Sequence, residues 1–180
     1  MRIETLEIFP RKNRPEETVS VIRQLVLDSR KSAAVRSLLE DSLEGLPEHN
    51  DTIEIMRLFD TVRGSIRYVQ DPVDLEFVKS PSFMAKWLHE NPGKMLAGDC
   101  DDHVVLLASL LTSAGYKTKL VIVRTPGGCP DGDYNHIYLK VFAPLSEIAD
   151  GDGWISLDPI VKAEQPGWEV ESDDMKEFDI

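Results

Sequence analysis

Three observations predict an α+β fold. Segments with helical periodicity fill the chain up to about residue 80. One strongly apolar helix then opens at Gly98-Asp99-Cys100. After it come three strand candidates separated by turn residues, which read as an antiparallel set.

The first helix is expected from about Pro15 to Lys31. Pro15 suits the first helical position, and Glu16 and Glu17 favour the positive end of the helix dipole. Val19, Ile22, Leu25 and Val26 make an apolar stripe at helical spacing. A second helix is expected over Ala33 to Leu43, carrying Val35, Leu38, Leu39 and Leu43 and ended by Gly45 and Pro47. A third should run from Asp51 to about Ser65, with Ile55, Met56, Phe59, Val62 and Ile66 as its buried face. Tyr68 and Val69 read as extended, and Asp71-Pro72 as a turn. A short helix is expected over Ser82 to His89, stopped by Asn91-Pro92-Gly93.

Asp99 is a good N-cap for the next helix, and Asp101 and Asp102 sit in its first turn, where the dipole favours acids. Val104 to Leu111 is apolar on nearly all faces, which implies burial on most sides. Gly115 suits the C-terminal stop. Thr118 to Arg124 is β-branched, and His136 to Phe142 and Trp154 to Leu157 follow as the other strands. Asp131-Gly132-Asp133 and Asp150-Gly151-Asp152-Gly153 look like fragments of a calcium loop. Both lack its closing Glu and read better as turns. From Glu164 the chain is acidic and is expected to be mostly loop.

The 180 residues are 42% apolar and 29% charged, which suits one globular domain. Within it the expected divisions are a helical extension over 1–50, a core over 51–163 and an acidic tail over 164–180. The extension should pack on the core; the alternatives are a partner-binding helix or a prosegment-like lid. Twenty Lys and Arg against 32 Asp and Glu give a net charge of −12. That field disfavours nucleic acid and anionic membranes as partners. Met1 to Pro10 lacks the apolar run of a secretion signal, and Val104 to Leu111 is too short to cross a bilayer. A cytoplasmic protein is expected, with Cys100 and Cys129 as reduced thiols.

Chemistry points to three residues. Cys100 opens the buried helix, His136 opens a strand, and Asp158 closes the next strand. A helix N-terminus favours the thiolate. An imidazole can take the thiol proton and return it to a leaving group, and a carboxylate orients the ring. The Cys100 backbone N–H suits an oxyanion. Asp99, Asp101 and Asp102 oppose a lone thiolate, so an ion pair with His136 is expected. Taken singly, each residue also has a plain reading: a small buried Cys, a bonded His at a strand end, an Asp in a turn. A rival zinc set is Cys100, His103, Cys129 and His136, although its spacing is loose.

The segment Gly98-Asp99-Cys100-Asp101-Asp102-His103, continuing through the apolar run to Leu111 and Gly115, resembles the nucleophile helix of the transglutaminase-like superfamily. Asn135-His136-Ile137-Tyr138-Leu139-Lys140-Val141 resembles its histidine strand. Trp154-Ile155-Ser156-Leu157-Asp158-Pro159 resembles its aspartate strand, and Ile66-Arg67-Tyr68-Val69 the segment preceding the nucleophile. The likeness covers about residues 51–160, with the motifs in order.

It implies a papain-like core, with the Cys100 helix packed centrally on an antiparallel sheet that carries His136 and Asp158. It implies acyl transfer at an amide through a Cys100 thioester, with no cofactor. Cysteine peptidase or amidohydrolase activity on a peptide or protein is expected, and the acidity fits a cationic substrate. Glutamine crosslinking is the alternative, and a non-catalytic phage structural module is another. Asp71 to Glu76 with Ser80-Pro81 is similar to small phage and prophage members. Tyr68 and Gln70 are candidates for a second oxyanion donor. His103 departs from the usual pattern. It is expected as an exposed first-turn side chain, the alternative being a residue that faces the pocket and tunes the thiol.

Overall fold

The computed structural model describes residues 6–10, 15–47, 49–72, 75–127 and 134–180. In chain order the elements are β1 (Leu6–Pro10), α1 (Pro15–Ser29), α2 (Ala33–Leu43), α3 (Asp51–Ser65), β2 (Ile66–Tyr68) and β3 (Leu75–Lys79). They continue with α4 (Pro81–Glu90), β4 (Leu96–Gly98), α5 (Cys100–Ser113), β5 (Lys117–Arg124), β6 (His136–Phe142), β7 (Trp154–Leu157) and β8 (Asp174–Asp179). The fold is α+β, as expected.

The strands form three sheets among the described residues. β5 to β8 make a four-stranded antiparallel sheet in the order β7-β6-β5-β8. β1 pairs with β3 antiparallel, and β2 pairs with β4 in parallel.

α5 is the centre of the molecule. Val104 to Ala108, Leu110 and Leu111 have no exposed surface. Helices α1 to α4 all pack against α5, as do β5 and β6. The sheet offers it Leu120, Ile122, Ile137, Leu139, Val141, Ile155 and Leu157. Each such side chain contributes about 1.5–3 kcal/mol on burial. The polar residues of α5 bond within the helix: Ser109 Oγ donates to Val105 O, and Thr112 Oγ1 to Ala108 O. At the far end Gly115 takes φ +99° and closes the helix, with Tyr116 N–H donating to Leu111 O.

The opposite face of the sheet is covered too. Val121, Val123 and Tyr138 pack there with Val170. Gly167 N–H donates to Ser156 O, tying the segment after β7 across the sheet. Lys140 bridges Glu169 (2.7 Å) and Glu177 (3.2 Å) on the same face. Burial alone would lower the Lys140 ammonium, but the two carboxylates outweigh it and raise it.

Several expectations need correction. Ile66 belongs to β2 instead of continuing α3, and Met56 is 38% exposed while Leu58 takes its place in the core. α1 stops at Ser29, and α4 starts one residue early, at Pro81, with Ser80 as its cap. The segment from Glu164 is irregular only as far as Asp173 and then forms β8. β8 (DMKEFD) lacks an apolar face because it is a charged edge strand, held by backbone pairing with β5. β1, β3 and β4 were likewise illegible, since short strands are set by distant partners.

Candidate active site

The three sequence candidates sit at the ends of elements, where side chains can project from a rigid frame. β4 delivers the chain into the N-terminus of α5. Asp99 caps it in extended backbone, its Oδ1 accepting from Asp101 N–H at 3.2 Å. Cys100 is the first helical residue and is partly buried; its thiol donates to Asp101 Oδ1 at 3.7 Å.

Asp102, two residues on, is fully buried. It accepts from Lys79 N–H at 2.9 Å and from Lys79 Nζ at 2.5 Å. Burial raises its carboxyl above the usual range, against the pull of Lys79. The pair bolts the first turn of α5 to the end of β3. Gly98 is required beside it, because a Cβ there would stand 2.7 Å from Asp102 Oδ2.

His136 opens β6 opposite Val123 of β5. Asp158 follows directly after β7, one step beyond the Leu139–Leu157 pair. This register brings the two side chains together: His136 Nε2 lies 2.6 Å from Asp158 Oδ2. Asp158 is 4% exposed, and its Oδ1 accepts from Ile160 N–H at 3.2 Å. A carboxylate here acts as acceptor, so Nε2 carries the proton and Nδ1 is the basic nitrogen. The Tyr138 ring stacks beside the imidazole, with centroids 6.3 Å apart. Burial, and then the charge of Glu169, pushes the Tyr138 phenol up to about 12, so it stays neutral.

His103 overturns its expectation: it is 2% exposed, not a solvent-facing side chain. Its Nδ1 lies 2.6 Å from Asp99 O. Burial lowers its imidazole, against backbone hydrogen bonds at Asp99 and Ile66 and the fields of Asp102 and Asp158. The apolar environment of α5 extends to its first turn, which helical periodicity did not reveal.

Tyr68 pairs with Gly98 in the β2–β4 register, and Val69 N–H donates to Gly98 O at 2.8 Å. Tyr68 is therefore beside the strand that leads into Cys100, and it is exposed, as is Gln70 in the following loop. Cys129, a member of the rival zinc set, and Asp131 to Asp133 lie outside the described residues. Among the described residues no group of three or more His, Cys, Asp or Glu side chains is arranged to hold a metal. Of the zinc set's histidines, His103 has Nδ1 at Asp99 O and His136 has Nε2 at Asp158 Oδ2. Asp150 to Gly153 is a turn, with Gly153 at φ +84°.

Lys79 and Tyr138 escaped the sequence reading as site-supporting residues. Lys79 meets Asp102 across 23 positions, which no local pattern reports. The histidine-strand motif contained Tyr138 but not its contact with the ring.

The sequence matches the profile of the transglutaminase-like superfamily over residues 43–159, well over half of the chain. The chain belongs to the transglutaminase-like superfamily. That is a superfamily of thiol-dependent hydrolases and acyltransferases. Among solved structures, this transglutaminase-like chain is similar to a provisionally assigned protease from Parabacteroides distasonis (12% identity, TM-score 0.47, covering 95% of this chain and 36% of that one). It is also similar to a provisionally assigned cysteine protease from Cytophaga hutchinsonii (11% identity, TM-score 0.46, 97% and 62%). The chain thus spans about a third and three-fifths of those two proteins. No curated protein matches it. No helix among the described residues is long and apolar enough to cross a membrane.

Proposed function

We propose that this transglutaminase-like protein is a cysteine amidohydrolase acting on peptide or protein amides. The observation that carries the reading is the 2.6 Å contact between His136 and Asp158, at the ends of strands in the sheet that packs on the Cys100 helix. Its catalytic residues are Cys100 as nucleophile, His136 as base and then acid, and Asp158 as the group that orients the ring.

Asp158 holds the His136 Nε2–H, so Nδ1 takes the Cys100 proton. Cys100 Sγ attacks the amide carbon, and the carbonyl π pair moves onto oxygen. The oxyanion is held by the Cys100 backbone N–H, with Tyr68 or Gln70 as the second donor. Collapse breaks the C–N bond, and the amine leaves with the proton from His136. Water, deprotonated by His136, attacks the thioester and frees Cys100. An amine in place of water would give crosslinking; hydrolysis is the simpler reading, because it needs no second binding site. The net charge of −12 favours a cationic segment as substrate.

The test is the pH dependence of Cys100 alkylation by iodoacetamide, in wild type and His136→Ala. The expected result is reaction well below the pH range of an ordinary thiol, about 8.5, lost in the variant. A profile that is ordinary in both proteins rejects the reading and favours a non-catalytic module.

A further inference from the structure

We infer that His103 is a positioning residue for the oxyanion site: its ring anchors the carbonyl of the Asp99–Cys100 peptide group and so aims the Cys100 N–H. The inference rests on the acyl-transfer reading above and deepens it.

Asp99 O and Cys100 N–H are the two ends of one planar unit. Whatever fixes the oxygen also fixes the direction of the hydrogen. Asp99 O receives two bonds from His103. The backbone N–H of His103 donates at 3.3 Å, just beyond the usual range for such a bond. The ring Nδ1 is much closer, at 2.6 Å. A carbonyl oxygen only accepts, so Nδ1 carries the proton and donates. The side chain is therefore the stronger tether. Donation into a peptide oxygen also polarises the amide and makes its N–H a better donor.

The tether itself is held. His103 is 2% exposed, so its ring is enclosed by protein. The Ile66 backbone, at the first residue of β2, lies near the same ring and favours its charged form. β2 in turn pairs with β4, the strand leading into Asp99. A buried imidazole is costly unless it is bonded. In the acyl-transfer reading, its bond goes to the peptide group whose N–H receives the oxyanion.

Two reactions at the same sulfur separate this role from thiol activation. Acylation of Cys100 by p-nitrophenyl acetate passes through a tetrahedral oxyanion, releasing p-nitrophenolate as the C–O bond breaks. Alkylation by iodoacetamide forms the C–S bond as iodide leaves, and no oxyanion arises.

The experiment compares both rates in wild type, His103→Leu and His103→Asn. Asn presents a side-chain N–H at the position of Nδ1, whereas Leu presents none. In His103→Leu, acylation is expected to fall at least about tenfold, less than the roughly 100-fold or more that losing a whole oxyanion donor costs, because the N–H is misaimed and not removed, while alkylation is unchanged. His103→Asn is expected to recover most of the acylation rate. Equal acylation in all three proteins overturns the inference. A parallel fall in both reactions, or no recovery in His103→Asn, also overturns it and leaves a packing role. If wild-type Cys100 is acylated no faster than glutathione, the acyl-transfer reading itself fails, and this is seen before any variant is compared. Should His103→Leu not fold, the ¹⁵N spectrum of wild type decides: the Nδ1–H tautomer is expected, and an Nε2–H tautomer overturns the inference.

Discussion

His136 Nε2 stands 2.6 Å from Asp158 Oδ2, across the junction between the first residue of β6 and the residue after β7. The bond fixes which ring nitrogen is basic. On the proposed mechanism, the expectation is that His136 needs an acceptor oxygen here more than a full charge. Asp158→Ala should lower the p-nitrophenyl acetate acylation rate by about 100-fold, the low end for losing acid–base function. Asp158→Asn keeps an oxygen that can face Nε2–H and should retain more activity than Asp158→Ala. Burst kinetics on the three proteins check the order; an unimpaired Asp158→Ala would remove Asp158 from the reaction.

Gly98 lies against the carboxylate of Asp102, with 2.7 Å between its would-be Cβ and Oδ2. Asp102 cannot retreat without loosening its bonds to the backbone and ammonium of Lys79. Gly98→Ala should therefore cost about 1–3 kcal/mol, as overpacking does in a tight interior. Urea unfolding measures it, and a change below about 0.5 kcal/mol would mean the first turn of α5 shifts freely.

Burial lowers the imidazole of His103 below its ordinary value of 6.5. The folded state thus holds the neutral ring, while the unfolded chain binds a proton more readily. The stability tied to this group is present above pH 6.5 and is lost as pH falls through the lower folded value. Between pH 7.5 and pH 5, the Tm of wild type should fall more steeply than that of His103→Asn. Parallel curves would mean that the ring is solvated in the folded protein.

Tyr138 is 1% exposed, and its hydroxyl finds no hydrogen-bond partner among the described residues. Its ring stacks on His136. The two parts should separate on mutation. Tyr138→Phe keeps the stack and removes a buried unpaired group, so it should raise stability by about 1 kcal/mol and leave Cys100 acylation unchanged. Tyr138→Ala removes the ring and should cost about 3–5 kcal/mol. A destabilised Tyr138→Phe would reveal a partner for the hydroxyl in solution.

The features legible from the residues alone are local. The bounds of α2, β6 and β7, the Asp99 cap and the Gly115 stop all depend on residues within a few positions of one another. Periodicity, capping chemistry and backbone preference act over that range. The order Cys100, His136, Asp158 was also legible, because each residue sits at an element end that the sequence marks. The remaining features arise from packing and long-range pairing. His103 reads as a surface residue of a first turn, and only the packing around α5 buries it. Lys79 finds Asp102 across 23 positions, and β8 joins β5 across about 50 residues. A strand such as DMKEFD carries no apolar alternation, because its stability comes from pairing with an edge that exists only once the chain has folded. The contact between His136 and Asp158 likewise depends on the register of two strands, which a linear pattern permits but does not set.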